Sequence, residues 1–330
     1  VGPNRPRLYW TFAAAQALGA IPVPDAADAV AEEMAYVLDH AGARFAVVSD
    51  QEQVDKIQSF SDRIPVLEHI IYDEPRGLED YDPATLHSFE AVQKRGREQI
   101  AADPDAARRW EEKVRAASGE DVSVMLYTSG TTGRSKGVMI GSAAAVKATV
   151  DTVSFDRLTE KDSVLAYLPL AWVGDHYLNF AQSYVSGFCM ACPESQETVP
   201  QDLREIGPTF YFAPPRIFES LLTSVTIRME DASRFKRWLF RHFICVAKKY
   251  GEAILEHRPV PLSGRIAYAL GNAIIYAPLR NVLGLSRIRI AYTAGDRSLS
   301  LRDRTEGWRG PFRRRRAGRA QCRYPHRGGR

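Results

Sequence analysis

Strand-like and helical segments alternate along the first 296 residues, and this alternation constrains the fold more than any other feature of the sequence. Strand-like apolar runs at 44–49 (RFAVVS), 69–73 (HIIYD) and 122–127 (VSVMLY) are separated by segments with apolar residues at helical spacing. Strands that alternate with helices usually form parallel sheets with helices on both faces. The sequence therefore predicts an α/β fold with layered, mostly parallel β-sheets flanked by helices.

The same alternation continues through the second half of the chain. Further predicted strands are 163–168 (SVLAYL), 187–192 (GFCMAC), 209–212 (TFYF) and 287–293 (RIRIAYT). The predicted helices between them are 88–117, 142–153, 176–186 and 215–257.

The net charge of +4 conceals two different parts of the chain. Residues 297–330 contain twelve Arg and only Asp303 and Glu306, a local charge of +10, so residues 1–296 carry −6. A hydrophobic content of 45% with 25% charged residues is typical of a globular protein with a sizeable core. Because the folded body is mildly acidic, we expect no nucleic-acid binding by it.

The four cysteines favour a reducing compartment, because they are too few and too scattered for a disulfide framework. Cys189 and Cys192 have CxxC spacing, but we interpret them as core cysteines of a buried strand. The first residues do not form a signal peptide, and the longest apolar stretch, about 14 residues at 266–279, is too short to span a bilayer. We therefore expect a cytoplasmic location.

Residues 228–250 predict an amphipathic helix. Trp238, Leu239, Phe243, Ile244 and Val246 fall on one side, and many Lys and Arg residues lie opposite. Our preferred interpretation is an ordinary helix with a solvated face. The alternative is attachment to a membrane surface, which would make the protein peripheral to the membrane.

The strand VSVMLY is followed by a loop rich in glycine and hydroxyl residues, which suggests phosphate binding. Its glycines allow backbone N–H groups to turn inward and approach an anion closely, while its hydroxyls add donors and its lysine adds a mobile positive charge. These residues are Thr128, Ser129, Gly130, Thr131, Thr132, Gly133, Lys136 and Gly137. The spacing fits neither the Walker A motif nor the G-x-G-x-x-G dinucleotide motif.

This loop resembles that of the acyl-adenylate-forming (AMP-binding) superfamily, commonly written YTSGTTGxPKGV. The match covers Tyr127 to Val138, and it departs at Ser135, where the family normally has Pro. Segments 4–24, 29–57, 164–188, 205–225 and 287–296 also resemble, in the same order, bacterial long-chain fatty acid CoA ligases. The resemblance implies most of the large N-terminal domain of an AMP-dependent synthetase or ligase over residues 1–296.

The resemblance implies a reaction in two steps, with ATP, Mg²⁺ and coenzyme A as cofactors and a fatty acid as substrate. A carboxylate first forms acyl-AMP, and the thiol of coenzyme A then displaces AMP. By this analogy, Thr128 to Gly133 and Lys136 hold the β- and γ-phosphates, with the Thr128 hydroxyl near Mg²⁺. Lys136 and Thr128 are therefore the predicted catalytic residues.

The same analogy assigns the remaining predicted contacts. Thr293, Ala294 and Gly295 would line the adenine pocket. Trp172 stands where many relatives have His, so it would border the acyl tunnel together with Asp175 and His176. The alternatives are core packing for Trp172 and a structural role, with its hydrogen bonds satisfied, for His176. Phe212 would shape the wall of the acyl pocket, although strand aromatics usually belong to a core.

Residues 297–330 do not follow the family pattern, because they have almost no apolar periodicity. One hypothesis is a reading frame lost after Asp296, and the alternative is a disordered basic tail that binds nucleic acid or acidic membrane. The resemblance also implies that the chain lacks residues before its first helix and lacks the small C-terminal domain. On that ground we expect weak or absent turnover by this chain alone.

Two other functions remain open at this stage. The phosphate loop is compatible with adenylation of another carboxylic acid, such as an aryl or amino acid. The chain could instead be a non-catalytic nucleotide-binding fragment whose basic tail binds polyanions.

Overall fold

The computed structural model describes residues 1–128 and 133–293. The chain packs as two compact units, of which the first covers Val1–Pro208 and the second begins at Thr209. Six residues of the predicted site, Ser129, Gly130, Thr131, Thr132, Ala294 and Gly295, and the Arg-rich segment 297–330 lie outside the described residues.

A three-stranded parallel sheet with the order β1-β2-β3 forms one part of the first unit. Its strands are β1 (Phe45–Val48), β2 (His69–Tyr72) and β3 (Leu86–Ser88). Helices α2 (Ala31–His40) and α3 (Gln51–Gln58) bury apolar residues against it, and Met34, Val48, Val54 and Ile57 are fully inaccessible. Asp50 caps α3 by accepting a hydrogen bond from the Gln53 amide.

A two-stranded antiparallel hairpin, β4 (Val122–Thr128) and β5 (Lys136–Gly141), forms the second part of this unit. Val124 and Leu126 pack into a core with α1 (Pro6–Ala17) and Phe180. Helix α6 (Ser142–Asp156) follows directly after β5. The sequence did not predict β5, because its two glycines are typical of a loop.

Strands β6 (Ser163–Leu165) and β7 (Cys189–Ala191) pair in parallel. The helical segment between them has three parts: α7 (Val173–Asp175), a π-helical stretch (His176–Ala181) and α8 (Gln182–Ser186). The other helices of the first unit are α4 (Phe89–Ala102), α5 (Ala106–Arg115), α9 (Val199–Ile206) and the short 3-10 helix Ser61–Arg63.

The described part of the second unit contains a parallel pair of strands, and its helices lie between these two strands in sequence. Phe212 on β8 (Phe210–Phe212) pairs with Tyr292 on β9 (Ile290–Tyr292). The helices are α10 (Pro215–Glu230), α11 (Arg234–Leu255), α12 (Leu262–Gly271), a π-helical stretch (Asn272–Tyr276) and α13 (Ala277–Val282).

Helices α11 and α12 pack as an antiparallel hairpin, because glycines let them approach closely. A Cβ atom on Gly264 would lie 3.0 Å from the Tyr250 ring, and one on Gly271 would lie 2.8 Å from the Phe243 ring. The Tyr276 hydroxyl donates a hydrogen bond of 2.5 Å to the Phe243 carbonyl. Phe243, Ala247 and Tyr276 form the buried centre of this packing.

The α/β architecture agrees with the sequence prediction, but several element assignments were wrong. The predicted helix 88–117 is two helices, α4 and α5, because Pro104 disfavours helical backbone at Asp103. The predicted helix 228–250 is interrupted at 231–233, where Ser233 caps a new helix. Cys189, expected in a buried strand, is exposed.

No helix in residues 1–128 and 133–293 combines the length and apolar character needed to cross a membrane.

Gly271→Ala tests the close approach of α11 and α12. The added methyl would lie 2.7 Å from the Tyr276 hydroxyl, so we expect a loss of about 1–3 kcal/mol in the free energy of unfolding. Gly96→Ala on α4 is the control, since its methyl meets nothing within 4 Å and should stabilise the helix by up to about 1 kcal/mol. Denaturant unfolding measures both, and equal stability of the two variants would contradict this packing.

Candidate nucleotide-binding site

The β4–β5 hairpin brings together the two ends of the glycine-rich loop. Thr128 is the last residue of β4, Lys136 is the first residue of β5, and the two are register partners. Directly opposed residues of an antiparallel pair lie about 4.5–5.5 Å apart at Cα and project from the same face. The hydroxyl and the ammonium group therefore project on one side of the loop stem, where they can bind the same anion.

The alternation of β4 assigns the two faces of the hairpin different roles. Val124 and Leu126 are buried in the core, and Thr128 continues their face at the exposed end of the strand. Tyr127 projects from the other face and opposes Gly137. A Cβ atom on Gly137 would lie 2.9 Å from the Met125 sulfur and 3.3 Å from the Tyr127 ring, so a larger residue here would displace the Met125 side chain.

Helix α2 holds the loop stem from the Tyr127 side. The Tyr36 hydroxyl donates a hydrogen bond of 3.0 Å to the Ser135 carbonyl, and the Arg134 guanidinium lies 5.2 Å from the Tyr36 ring centre. His40 Nδ1 and the Tyr127 hydroxyl are 2.7 Å apart. These contacts restrict the loop stem, and the backbone of Gly133 turns with a φ of 121° that other residues rarely adopt.

Sequence reasoning missed Tyr36 and His40. A usable signal was present, because they lie four residues apart on α2 and off the buried stripe of Met34, Val37 and Leu38. Two aromatic residues on the outer side of α2 indicate that this side also contacts another part of the chain. The pattern does not indicate which part.

Asp175 is the centre of a buried polar cluster in the first unit. Its carboxylate accepts hydrogen bonds from the Tyr9 hydroxyl at 2.7 Å, from Asn179 Nδ2 at 2.6 Å and from Asn4 Nδ2 at 3.4 Å. Burial raises its pKa from the ordinary value of 3.8 to about 7, although the three donors oppose this shift. The side chain is therefore poised between its neutral and charged forms near neutral pH.

His176 is equally buried but lies in an aromatic environment. Its ring is 5.4 Å from that of Phe180 and 6.0 Å from that of Phe12, between ring centres. Burial lowers its pKa to about 4, so it is neutral at pH 7. Its Nδ1 has no hydrogen-bond partner among the described residues, so the hydrogen bonding expected of a purely structural histidine is incomplete.

The π-helical stretch and the residue that follows it place two more polar side chains in the interior of the first unit. Asn179 Oδ1 and Gln182 Oε1 are also buried without a hydrogen-bond partner in the part of the chain that the structure describes. Interruptions of this kind occur frequently at functional sites. Trp172, just before the segment, is exposed, which argues against the core-packing alternative for this residue.

The structure places the other predicted contacts in the second unit. Phe212 is buried on β8, and Thr293 directly follows β9 at its paired end. These two residues therefore lie close to each other. Their predicted roles remain predictions.

The chain belongs to the AMP-binding enzyme family, because a family model with the description "AMP-binding enzyme" matches residues 1–292.

The curated relatives include long-chain acyl-CoA ligases of animals. "Long-chain-fatty-acid--CoA ligase heimdall" from Drosophila melanogaster is 25% identical over 301 residues, covering 87% of this chain and 42% of the relative. "Long-chain-fatty-acid--CoA ligase ACSBG2" from Xenopus laevis is 27% identical over 275 residues, covering 80% of this chain and 35% of the relative. The chain thus spans less than half the length of these relatives.

Solved structures confirm the fold. VinN in complex with L-aspartate has a TM-score of 0.51 at 17% identity, covering 88% of this chain and 60% of that structure. The A-PCP didomain of carboxylic acid reductase from Segniliparus rugosus, in complex with AMP, also has a TM-score of 0.51, at 16% identity and with coverage of 88% and 37%. The predicted α/β fold of the large domain of AMP-forming ligases is therefore confirmed.

Single substitutions of Asp175 and His176 should give opposite pH dependences of stability. The raised pKa of Asp175 gives a stabilising contribution at low pH that is lost as the pH rises from about 4 to about 7. The lowered pKa of His176 gives one that is present above pH 6.5 and lost as the pH falls towards 4. In the parent chain the two dependences oppose each other between pH 4 and 6.5.

Asp175→Asn removes the contribution that falls with pH, so its free energy of unfolding should rise more steeply with pH than that of the parent chain over this range, by at most about 1.4 kcal/mol per pH unit. His176→Gln should shift the slope in the opposite direction. The neighbouring Tyr9 and Cys192 keep their protons throughout, since burial raises the pKa of both. Urea unfolding at several pH values measures the slopes, and slopes that depart from the parent's in the same direction in both variants would refute the assignment.

Proposed function

We propose that this chain carries the nucleotide-binding part of an ATP-dependent ligase that converts a long-chain fatty acid to acyl-AMP and then to acyl-CoA. The observation that supports this most directly is the register pairing of Thr128 with Lys136 at the two ends of the glycine-rich loop. The curated relatives, which are long-chain acyl-CoA ligases, support the choice of substrate class.

The proposed reaction has two balanced steps. A carboxylate oxygen attacks the α-phosphorus of ATP, an O–P bond forms, and the bond to the departing pyrophosphate breaks. The sulfur of the coenzyme A thiol then attacks the acyl carbon, the bond to AMP breaks, and the thiol proton is released. Both steps develop negative charge on phosphate oxygens, which fixed donors and cations stabilise.

The loop residues of this chain would stabilise that charge. In the proposal, Lys136 and the backbone amides of the loop bind the β- and γ-phosphates, while Ser129, Gly130, Thr131 and Thr132 contribute the amides and hydroxyls between the two strands. A lysine at the stem provides a mobile point charge, and phosphate binding by lysine is common in nucleotide loops. The contacts of Tyr36 with Ser135 and Arg134 reduce the freedom of the loop stem before nucleotide arrives.

The chemistry of the loop also fits Mg²⁺. The described residues contain no group of three or more His, Cys, Asp or Glu side chains that could hold a metal by themselves. Mg²⁺ is commonly bound by one or two protein oxygens together with substrate phosphates and water, and the Thr128 hydroxyl suits that role. When bound, the ion would neutralise phosphate charge.

The remaining site residues are assigned by position. We propose that Thr293, Ala294 and Gly295 contact adenine at the end of β9 and that Phe212 shapes the acyl pocket. Trp172 would border the acyl chain, while Asp175 and His176 would position the segment behind it. The setting we propose is cytoplasmic, with Cys189, Cys192 and Cys245 as free thiols.

Lys136→Ala should weaken ATP binding by roughly tenfold or more, because a charge-assisted contact to phosphate is lost. Lys147→Ala is the matched control, since Lys147 is also exposed, on α6, and pairs only with Asp151 at 3.0 Å in the described structure. Isothermal titration with ATP and Mg²⁺ measures the affinity directly. Equal ATP affinity of the two variants would show that Lys136 does not bind phosphate.

Substrate choice is tested separately from nucleotide binding. Pyrophosphate release by this chain, which we expect to be weak, should depend on palmitate and should be weaker still with aryl or amino acids. Release that depends on one of these other acids would keep the adenylation chemistry but change the substrate class. ATP binding without release with any acid would support the non-catalytic alternative.

A further inference from the structure

Two residues on the outer side of α2 contact both ends of the glycine-rich loop. At the start of β5, the Ser135 carbonyl accepts a hydrogen bond of 3.0 Å from the Tyr36 hydroxyl. At the end of β4, the Tyr127 hydroxyl lies 2.7 Å from His40 Nδ1. Each contacted residue directly precedes a residue predicted to bind phosphate. Helix α2 therefore restrains the two strand ends where the site is built.

Three aromatic rings pack together at this contact. The centre of the Tyr36 ring lies 5.4 Å from that of His40 and 6.4 Å from that of Tyr127, and the last two are 5.7 Å apart. Both rings that face Tyr127 meet it edge to face, which is a favourable arrangement. Because the Tyr36 side chain is half-buried among these rings, its hydroxyl is held beside the Ser135 carbonyl.

The Tyr36 ring also holds Arg134 on the α2 side of the loop. The Arg134 guanidinium lies 5.2 Å from the ring centre, within the range of a cation–π contact. Gly133, the next residue towards the middle of the loop, has a φ of 121°. The contact with α2 thus extends from the start of β5 to the point where the backbone turns.

Ser135 is the position at which residues 127–138 depart from the loop pattern of the family. A proline fixes its own φ near about −65° and would restrict the backbone that enters β5. A serine leaves this angle free, so more conformations compete with the one that binds an anion. The start of β5 in this chain therefore lacks a covalent restraint at the residue that Tyr36 contacts.

We propose that Tyr36 is a positioning residue of the nucleotide site, whose hydrogen bond to the Ser135 carbonyl supplies the restraint that a proline at position 135 would supply through its ring. The inference rests on the proposed binding of ATP by the loop. It names the group that keeps the backbone next to Lys136 in place before ATP arrives. ATP binds only the fraction of molecules whose loop stem is in place, so the apparent affinity falls with that fraction.

Tyr36→Phe tests the hydroxyl alone, because the ring and its aromatic contacts are retained. Tyr81→Phe is the matched control, since the Tyr81 hydroxyl donates to Asp55 on α3 and not to the loop stem. Isothermal titration of the full chain with ATP and Mg²⁺ measures both. We expect Tyr36→Phe to weaken ATP binding by roughly three- to tenfold, as the loss of one hydrogen bond implies, and Tyr81→Phe to leave it unchanged.

Ser135→Pro distinguishes positioning from a general structural role. If the ring of proline replaces the restraint, adding Tyr36→Phe to Ser135→Pro should weaken ATP binding by less than about twofold. Equal losses in the serine and proline backgrounds would overturn the proposal. Loss of ATP binding in Ser135→Pro alone would also overturn it, because proline would then not supply the restraint.

Hydrogen exchange without nucleotide measures the restraint itself. The backbone amides of residues 133–137 should exchange several-fold faster in Tyr36→Phe than in the parent chain, and adding Ser135→Pro should slow them again. Unchanged exchange in β1 and β2 would show that the variant keeps its fold. Unchanged exchange of residues 133–137 in Tyr36→Phe would contradict the proposal.

The titrations separate this inference from the function on which it rests. A parent chain that binds no ATP would overturn both together. A parent chain that binds ATP with the same affinity as Tyr36→Phe would overturn the role of Tyr36 and leave the proposed ligase function intact.

Discussion

The antiparallel pairing of β4 with β5 is the constraint on which the candidate site depends. Since Thr128 and Lys136 are partners in this pairing, the loop between them must close over a short distance, whatever conformation it adopts. The pairing is itself fixed by burial, because a one-residue slip would bring Val124 and Leu126 out of the core. Gly137 allows the Met125 and Tyr127 side chains to pack closely beside it. The position of the loop therefore depends on the hydrophobic packing of Val124 and Leu126 in the core.

The same core links the loop stem to the helical segment that contains Asp175 and His176. Leu8, Tyr9 and Phe12 of α1 pack with β4 and with Phe180. A carboxyl group buried here loses its hydration. Three donors, Asn4 and Tyr9 near the start of the chain and Asn179 one turn after Asp175, compensate for that loss only in part. A group of this kind is unfavourable for stability alone, and pKa shifts of this size are common at functional sites. The buried polar cluster around Asp175 therefore has the properties that are typical of a functional group and not of a stabilising one.

Local patterns predicted the fold well, and contacts between distant residues were beyond them. The alternation of strands and helices is a local pattern, and it agrees with the structure. The glycine-rich loop is also local, and the family that it indicated is confirmed by the family match. Tyr36 and Ser135 are 99 positions apart, and Tyr9 and Asp175 are 166 apart, so neither contact leaves a periodic signal. Strand β5 was not predicted because Gly137 and Gly141 are uncommon residues in strands. The break before α11 was not predicted because Asp231 and Ser233 do not interrupt the helical spacing of the apolar residues around them. Ser233 is nevertheless a favourable N-cap residue.

Helix α12 reverses the usual order of a surface helix, because its small residues face the neighbouring helix and its large aliphatic residues face outward. The packing against α11 then depends on Gly264, Gly271 and backbone contact, while the outward side chains add little to folding. Sequence change on that outer side is consequently uncoupled from the integrity of the hairpin. Such an arrangement lets the exposed surface of α12 vary in polarity and size while the packing of the hairpin is kept.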